Sequence, residues 1–432
     1  MNKTRFNYDL GHYSFQSGQI GCLQTLSVIP VVAGDKMAVN MTKVFRLSPL
    51  RRNLTMDARV DMFAFYVPHR QVYGDDWLNF IKEGIDESTT FPTVTMTNDP
   101  AQPWFSYMGQ PLIGNDVVPL AYVAGYNRIW NRYFRHPTDD PALLADTALP
   151  TGGEKISGRG VAHLPTPWNT GNDAEVDASD LQVSTAGDLL DLTEFAQQQA
   201  RLVTERRREF YSQRYNDVLL TTFGSSVNID ADERPELCHR SSFWLSGYDV
   251  DGTDDAALGQ YSGKAAGVGR LNMRKKMFPE HGLLWIMAVL RFPPVHEKER
   301  HFLLGNPQWS YKEVSGDPDV LANEPPETLD LADYFNPAGG ASFVADAGIN
   351  PYGQWYRWQP NAVNVTFDSL NGYCFLRGGI ASKTAARYLA PETYNDVFQT
   401  TQAGHWQSQG RLDCDVDRVV PPVEASIFAG TR

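Results

Sequence analysis

The chain has 432 residues, of which 42% are hydrophobic, 12% aromatic and 21% charged. This composition supports a large buried core and excludes an intrinsically disordered chain. The formal net charge of −13 disfavours general binding to nucleic acid, because counterion release at phosphates needs clustered Lys and Arg. No apolar run approaches the ~18 residues of a membrane-spanning helix, and the first ten residues lack the apolar core of a secretory signal.

Two segments near the start of the chain predict β-strands. Residues 19–32 are rich in Ile, Leu and Val. In residues 55–62, polar residues alternate with small or apolar ones, at Met56, Ala58, Val60 and Met62. This alternation is typical of a half-buried antiparallel strand. Because Phe63, Phe65 and Val67 add apolar side chains on the second face, we expect this strand to become buried on both sides.

The middle of the chain carries two helical patterns. From Val118 to Tyr133 the residues Tyr122, Tyr126, Ile129 and Trp130 share one face. The segment from Asp191 to about Leu220 opens with the Asp-x-x-Glu pattern of a capping box and continues with apolar residues at helical spacing. Between them, Pro137 to Asp188 is rich in Gly, Pro, Asp and Thr and predicts an insertion loop. Asp249 to Gly269 has a similar composition and is also predicted to be a loop.

The later strand signals suggest how the chain is organised. Gly282 to Phe292 predicts a strand that stops at two prolines, and Leu412, Cys414 and Val416 alternate with charged residues. Strands at both ends of the chain that pair across a long middle predict one β-sandwich with large insertions. We therefore interpret residues 1–432 as a single domain. Its core strands are expected in residues 18–70, 278–294 and 398–420, with insertions at about 71–277 and 295–397.

The motif Asp249-Val250-Asp251-Gly252-Thr253 matches the signature of haloacid-dehalogenase phosphotransferases, whose first Asp is the nucleophile and second the general acid/base. In that class the motif follows a parallel strand buried on both faces, which has a continuous apolar sequence. Here Ser246 and Gly247 interrupt the preceding residues, and no alternation of strands and helices follows. A turn-rich loop is the favoured interpretation, and a phosphotransferase using Asp249 and Asp251 is an alternative.

Metal and cysteine patterns are weak. The acidic residues of 249–255 leave an irregular calcium site open, although they lack the spacing of an EF-hand. His296 and His301 are five residues apart, so they do not share a helical face as the ligands of a zinc helix do. The cysteines are widely separated and predict no metal or disulfide framework: Cys22, Cys238, Cys374 and Cys414. The sequence therefore predicts no catalytic set and no resident cofactor.

Basic clusters stand out in this acidic chain. Arginines interleaved with aromatic residues form surfaces for single-stranded nucleic acid, and they are also enriched in protein–protein interfaces. Two of the clusters, one around residue 130 and one around residue 208, have such neighbouring rings. The candidate contacts for DNA or for a protein partner are Arg128, Arg132, Arg206, Arg207, Arg208, Arg274, Lys275 and Lys276.

A series of characteristic blocks occurs in one order along the chain. They include Gly18 to Gly21, Arg46 to Arg52, Tyr66-Val67-Pro68-His69-Arg70, Ser246 to Asp254, Phe278-Pro279-Glu280-His281-Gly282 and Arg291-Phe292-Pro293-Pro294. In these blocks the chain resembles the major capsid proteins of the microviruses (Microviridae), and within them the phiX-like branch. Because the Asp249 to Thr253 block is shared with that family, the phosphotransferase interpretation is weakened further.

The resemblance implies a mainly β fold, an eight-stranded antiparallel jelly roll with long, partly helical insertion loops, and no enzyme activity. It implies a T=1 icosahedral shell that encloses a circular single-stranded DNA genome. The implied partners are further copies of the chain, a pentameric spike protein, a DNA-pilot protein, a small basic DNA-packaging protein and scaffolding proteins, with assembly in the host bacterial cytoplasm. A carbohydrate-binding β-sandwich that acts in host attachment is a third interpretation.

Overall fold

The computed structural model describes most of the β-rich parts of the chain. The described residues are 4–51, 57–83, 90–95, 116–135, 143–149, 234–251, 261–306, 308–324, 327–337, 340–347, 349–350, 352–364, 366, 376–382, 385, 391–399 and 404–420. Of the predicted loop from Pro137 to Asp188, only residues 143–149 are described, and they contain no helix or strand. The predicted helix from Asp191 to Leu220 lies outside the described residues.

The secondary structure of these residues is dominated by strands. They are β1 (Phe6–Asp9), β2 (His12–Gly18), β3 (Gln24–Val31), β4 (Lys36–Leu47), β5 (Ala58–Pro68), β6 (Thr93–Thr95), β7 (Val117–Pro119), β8 (Glu236–Asp251), β9 (Tyr261–Met277), β10 (Gly282–Arg291), β11 (Glu327–Thr328), β12 (Ile349–Asn350) and β13 (Trp406–Arg418). The helices are α1 (His69–Tyr73), α2 (Asp75–Glu83), α3 (Leu120–Tyr133), α4 (Phe302–Gly305), α5 (Tyr311–Val314), α6 (Pro318–Asn323) and α7 (Leu331–Tyr334), with 3-10 turns at Gln354–Tyr356 and Pro391–Val397.

The main strands form a long antiparallel ribbon wound around one core. Eight strands make up this ribbon, and they pair from the outside of the sequence inward. The first pairs with the eighth (β2 with β13), the second with the seventh (β3 with β10), the third with the sixth (β4 with β9), and the fourth with the fifth (β5 with β8). Pairing of β13 with β4, β8 with β9, and β5 with β10 joins successive turns of the ribbon. This nested pairing of eight strands is a jelly roll. The predicted fold class is confirmed, and β1 adds a short pairing with the end of β13.

The wound ribbon makes two facing sheets, which we call sheet I (β2, β13, β4 and β9) and sheet II (β3, β10, β5 and β8). Strand β8 crosses between them, because its first part pairs with β5 and its last part with β9. Alternate residues of both sheets point into one core, including Met41, Val60, Met62, Ile286 and Leu412. The period-two patterns near residues 58–62 and 412–416 therefore predicted core strands correctly.

Helix α3 covers the outer face of sheet II. Its residues Tyr126, Ile129 and Trp130 pack in one cluster with Phe65 and Trp285. The Tyr126 hydroxyl donates a hydrogen bond to the carbonyl of Leu23 at 2.8 Å, which ties the helix to the chain just before β3. The predicted helix is confirmed, although it begins only after Pro119. The expectation that β5 is buried on both faces is confirmed as well.

Side-chain contacts join the two sheets where β2 meets β3. Lys43 of β4 is fully buried and donates to Ser14 Oγ at 2.9 Å and to Ser408 Oγ at 3.3 Å. Ser14 in turn donates to the carbonyl of Leu26 on β3 at 2.6 Å. Burial lowers the pKa of Lys43 to about 7. A polar tie inside the core thus connects β4 and β13 through β2 to β3.

Two predictions for residues 236–277 are wrong. This segment was placed in an insertion, but it contains the core strands β8 and β9. The loop predicted for Asp249 to Gly269 is strand at both of its ends, residues 249–251 and 261–269. The glycines that suggested a loop make room for the core instead. A Cβ at Gly269 would lie 2.1 Å from the ring of Phe243. The boundaries of the single domain stay a prediction.

The segment after β10 builds a second, smaller core. It contains the short helices α4 to α7 and the two-stranded pair of β11 and β12. Phe302, Leu331, Phe335 and Trp355 are buried together, and the rings of Phe302 and Trp355 stack at 4.3 Å. This packed cluster fixes the surface residues that surround it.

Replacing Lys43 with Met is expected to remove a pH dependence of stability. The pKa of Lys43 is about 7 in the folded chain and near the ordinary 10.5 in the unfolded chain. The unfolded chain therefore binds more protons between these values, and Lys43 makes the free energy of unfolding rise with pH across this range. The advantage of Lys43→Met over the wild type should be greatest near pH 7 and should shrink toward pH 10.

Urea denaturation at pH 7, 8, 9 and 10, followed by tryptophan fluorescence, measures this difference. The exposed Lys264 of β9 provides the matched control, since Lys264→Met should run parallel to the wild type. Equal pH slopes for Lys43→Met and Lys264→Met would contradict the interpretation.

Candidate assembly and nucleic-acid surfaces

Arg128 of helix α3 is engaged within the chain. Its Nε and Nη2 atoms donate to the carboxylate of Asp146 at 3.0 and 2.6 Å, and its Nη1 atom donates to the carbonyl of Gln71. Arg132, about one turn further on, is exposed. Of the two predicted contacts on α3, Arg128 therefore holds neighbouring segments together, and Arg132 is accessible to a partner.

The predicted cluster on β9 is also largely neutralised. Lys275 forms a salt bridge with Asp417 of β13, and Lys276 forms one with Glu236 of β8. The hydrogen bond from Lys275 lowers the pKa of Asp417. Arg274 is exposed, and no salt bridge is recorded for it within the described residues. The structure thus separates the predicted basic clusters, since α3 lies on sheet II and β9 belongs to sheet I. Arg206, Arg207 and Arg208 lie outside the described residues.

The acidic motif that resembled a phosphotransferase site lies in an antiparallel hairpin. The backbone of Asp249 pairs with Gly263, and that of Asp251 pairs with Tyr261. A phosphotransferase of the haloacid-dehalogenase class needs these aspartates at the end of a buried parallel strand. In the part of the chain that the structure describes, no group of three or more His, Cys, Asp or Glu residues is placed to hold a metal ion. No described helix is long and apolar enough to cross a membrane.

Two of the sequence blocks described above, residues 66–70 and 278–282, pack against each other. Arg70 and Glu280 are both buried, and the guanidinium donates to the carboxylate at 2.9 and 3.2 Å. The rings of His69 and His281 lie 4.8 and 5.8 Å from the ring of Trp77. Burial lowers the pKa of both histidines to about 4. The blocks at 66–70 and 278–282 therefore form one packed corner at the ends of β5 and β10.

The outer face of sheet II carries a cluster of arginines next to the area covered by α3. Asp61, which is 1% exposed, forms salt bridges with Arg59 at 3.1 Å, Arg240 at 3.5 Å and Arg291. The guanidinium of Arg59 lies over the ring of Trp244 at 5.9 Å, and Trp244 is 54% exposed. The buried carboxylate ties β5, β8 and β10 together.

Sequence reasoning missed the outer face of sheet I. At one end of this face the strand register aligns outward residues in three rows: Ser17, Gln407, Arg46 and Ala266; Phe15, Gln409, Val44 and Val268; and Tyr13, Arg411, Thr42 and Arg270. Tyr13 and Phe15 are 68% and 70% exposed. A groove of about 300 Å³ runs between Phe15, Arg46 and Gln409. The signal that could have revealed this face is the inverted polarity of β2, where Ser14 points inward and the rings point outward.

A second exposed surface lies on the segment after β10, which we call the insertion patch: Leu304, Trp309, Tyr311, Val314 and Tyr356. These side chains are between 40% and 76% exposed. The Trp309 indole donates to the carbonyl of Leu303 at 2.8 Å, and the Tyr356 hydroxyl donates to the carbonyl of Glu313 at 2.8 Å. Large apolar groups that are both exposed and held in place are typical of protein–protein contact sites.

The buried histidines predict acid sensitivity of the corner at α1. A folded-state pKa of about 4, compared with 6.5 in the unfolded chain, means that stability is present above pH 6.5 and is lost as pH falls toward 4. The variant His69→Phe keeps an aromatic ring against Trp77 but cannot bind the proton. Its free energy of unfolding should fall less than that of the wild type between pH 6.5 and 4.5, as measured by denaturant titration. Parallel losses in the two proteins would rule out His69 as a contributor.

Comparison with known proteins gives a consistent result. The family model described as phage capsid protein (F protein) matches residues 1–154 and 138–428. Capsid protein F of Escherichia phage G4 is 36% identical over 427 residues, which cover 98% of this chain and 97% of the relative. Capsid protein F of Enterobacteria phage phiK and that of Escherichia phage alpha3 are 35% and 34% identical, each over 426 residues. These matches cover 97% of this chain and 96% of each relative.

Proposed function

This chain belongs to the phage capsid protein F family, and from this premise we propose that sixty copies of it close into a T=1 icosahedral shell around a circular single-stranded DNA genome. It is a microvirus capsid protein, a component of the virion that assembles with copies of itself. The interpretations as a phosphotransferase and as a carbohydrate-binding protein are not supported, and we propose no enzymatic activity.

The observation that carries the proposal is the jelly roll with its elaborated connections. Two packed sheets make a rigid unit, and long segments outside the ribbon can differ without disturbing the core. A closed icosahedral shell needs several different contacts on each subunit, so much of the surface must serve as interface. The segment after β10, with its own small core, supplies such a surface.

We infer that the insertion patch contacts a second copy of the chain. Trp309 and Tyr311 are 59% and 72% exposed. The stacked rings of Phe302 and Trp355 lie beneath the patch and fix its shape before assembly. A surface that is ordered in advance loses less conformational entropy when it binds. These side chains therefore suit an interface that forms repeatedly between identical subunits.

Of the further partners in the proposal, charge supports the packaging protein, and membership of the family suggests the others. A chain with a net charge of −13 is a poor counterion for packaged DNA, so a small basic packaging protein would supply positive charge inside the shell. A pentameric spike protein, a DNA-pilot protein and scaffolding proteins complete the proposed partners, with assembly in the bacterial cytoplasm.

Of the predicted basic contacts, we propose Arg132, Arg274 and Arg206 to Arg208 for DNA or the packaging peptide, because Arg128, Lys275 and Lys276 have acidic partners within the chain.

The test of the proposed function is co-expression of the chain with the neighbouring genes of its phage, followed by sedimentation and negative-stain electron microscopy. Closed particles with a mass near that of sixty subunits are expected. A discrete monomer or dimer in the presence of these partners would overturn the shell proposal.

The double variant Trp309→Ala/Tyr311→Ala should assemble poorly. Trp and Tyr are enriched among the hot spots of interfaces, where removal of one side chain costs about 2 kcal/mol or more. We expect the yield of closed particles to fall at least about tenfold, as measured by sucrose-gradient sedimentation, while the unassembled chain keeps its melting temperature because both side chains are exposed in it. Val117→Ala, at a position that is 61% exposed outside the patch, is the control and should assemble normally. Normal assembly of the double variant would remove the patch from the interface.

Replacement of Arg206, Arg207 and Arg208 with Ala should reduce the yield of DNA-filled particles while empty shells still form. Three adjacent cations in an acidic chain are suited to phosphate contact. The ratio of filled to empty particles in a density gradient measures the effect. The matched variant with three Lys residues keeps the charge and should package normally, whereas normal packaging by the Ala variant would exclude these arginines.

A further inference from the structure

The two sheets of the jelly roll differ in how their outer faces are covered. In sheet II, helix α3 covers the outer face of β3, β5 and β10, so these three strands are largely buried on both faces. The outer face of sheet I is exposed, and it carries Tyr13 and Phe15, two residues apart on β2. Side chains at positions i and i+2 of a strand point to the same side and are about 7 Å apart. The two rings therefore form adjacent flat surfaces on an open sheet.

Charge divides this face into two halves. The three rows that contain Tyr13 and Phe15 include Arg46, Arg270 and Arg411, and none of their residues is an Asp or Glu. Arg411 is neutralised by two carboxylates, Asp413 at 2.7 Å and Asp9 at 3.8 Å. For Arg46 and Arg270, no salt bridge is recorded within the described part of the chain. The opposite half carries the carboxylates of Asp9, Asp413, Asp415 and Asp417, together with the cations Lys36 and Lys275 beside Asp417. The rings therefore lie in a positive region of a protein that is acidic overall.

The outward direction of the rings is fixed by the core. A shift of β2 by one residue would move every side chain to the other face. Ser14 points inward and takes part in the buried bonds to Lys43 and Leu26. Gly18 pairs with Trp406, and a Cβ at position 18 would lie 2.5 Å from the indole ring. These contacts hold the register, so Tyr13 and Phe15 cannot turn into the core.

We propose that the basic half of the outer face of sheet I, which we call the stacking face, binds single-stranded DNA. Bases stack on Tyr13 and Phe15, and phosphates pair with Arg46 and Arg270. This inference rests on the proposed function, since it names the surface of the shell protein that meets the packaged genome.

The chemistry of the stacking face favours this ligand. Aromatic rings bind bases without regard to sequence, because every base has a flat π-face, and nearby cations follow the phosphate backbone. The groove beside Phe15 is lined by Arg46, Gln407 and Gln409. Their guanidinium and amide groups can donate to phosphates or base edges. A single strand of DNA carries one negative charge on every phosphate along its backbone, so charge complementarity with Arg46 and Arg270 favours this polyanion.

Fluorescence anisotropy with a labelled oligothymidylate of about ten nucleotides tests the proposal on the unassembled full chain. The variant Tyr13→Ile/Phe15→Ile keeps apolar, strand-forming residues but removes the rings. It should bind at least about tenfold more weakly, because loss of one stacked base alone corresponds to about that factor. Replacement of Arg46 and Arg270 with Gln should reduce the slope of log affinity against log salt by about 1.4, since each phosphate contact on a single strand contributes about 0.7.

Trp244→Leu is the matched control, because Trp244 is an exposed ring beside arginines on the outer face of the other sheet. It should leave the DNA affinity unchanged. If Trp244→Leu weakens binding as much as the double Ile variant, the stacking face is not the DNA site. If the double Ile variant binds DNA normally but no longer assembles, the face is a contact between proteins and the inference is wrong.

Crosslinking in filled particles separates this inference from the proposed function. Ultraviolet irradiation should crosslink bases of the packaged DNA to the aromatic rings. After digestion with nuclease and trypsin, nucleotide remnants should remain on the peptide from Phe6 to Lys36, which contains both rings. The double Ile variant should lose this crosslink. Filled particles that carry crosslinks only elsewhere would refute the DNA site while leaving the shell function intact. Failure of the wild type to form particles would instead contradict the proposed function.

Discussion

The face that sheet I exposes depends on the register of β2, which a buried polar tie between Lys43, Ser14 and the carbonyl of Leu26 holds in place. Within the described strands, β2 and β3 are joined by side-chain bonds, and Lys43 connects them through Ser14 to the carbonyl of Leu26. A buried charge is costly unless it is paired or neutralised, which explains the lowered pKa of this lysine. Because Ser14 must point inward to accept this bond, its neighbours Tyr13 and Phe15 must point outward. One polar tie in the core thereby determines what the surface of sheet I displays.

The nested pairing of strands explains why the two ends of the sequence were informative. In a ribbon that pairs the first strand with the last, β2 lies beside β13 although nearly four hundred residues separate them along the chain. The alternating patterns near Ala58 and near Leu412 correctly predicted β5 and β13, two strands of the same jelly roll. The long segments between these strands are inserted at the connections of the ribbon. They can be elaborated there because the pairing of the eight strands does not run through them.

The parts that sequence reasoning missed have physical causes. The sequence at the end of β8 and the start of β9 predicted a loop because glycine is common in turns, but Gly269 is needed where the ring of Phe243 lies against β9. The stacking face was missed because β2 places its aromatic residues outward, against the usual polarity of a strand. The pairing of Arg128 with Asp146, and of Lys276 with Glu236, depends on partners 18 and 40 residues away. A count of charges in sequence could not show which basic residues are already neutralised.

The net charge of the chain is therefore a poor guide to where it meets DNA. Phosphates respond to charges within about 10 Å, the screening length at moderate ionic strength, and not to the sum over the whole molecule. On sheet I the strand register gathers the carboxylates of Asp413, Asp415 and Asp417 at one end and leaves the rows around Phe15 without any. The same register that packs the core also sorts the surface charges. An acidic shell protein can in this way keep a local basic, aromatic surface for its genome.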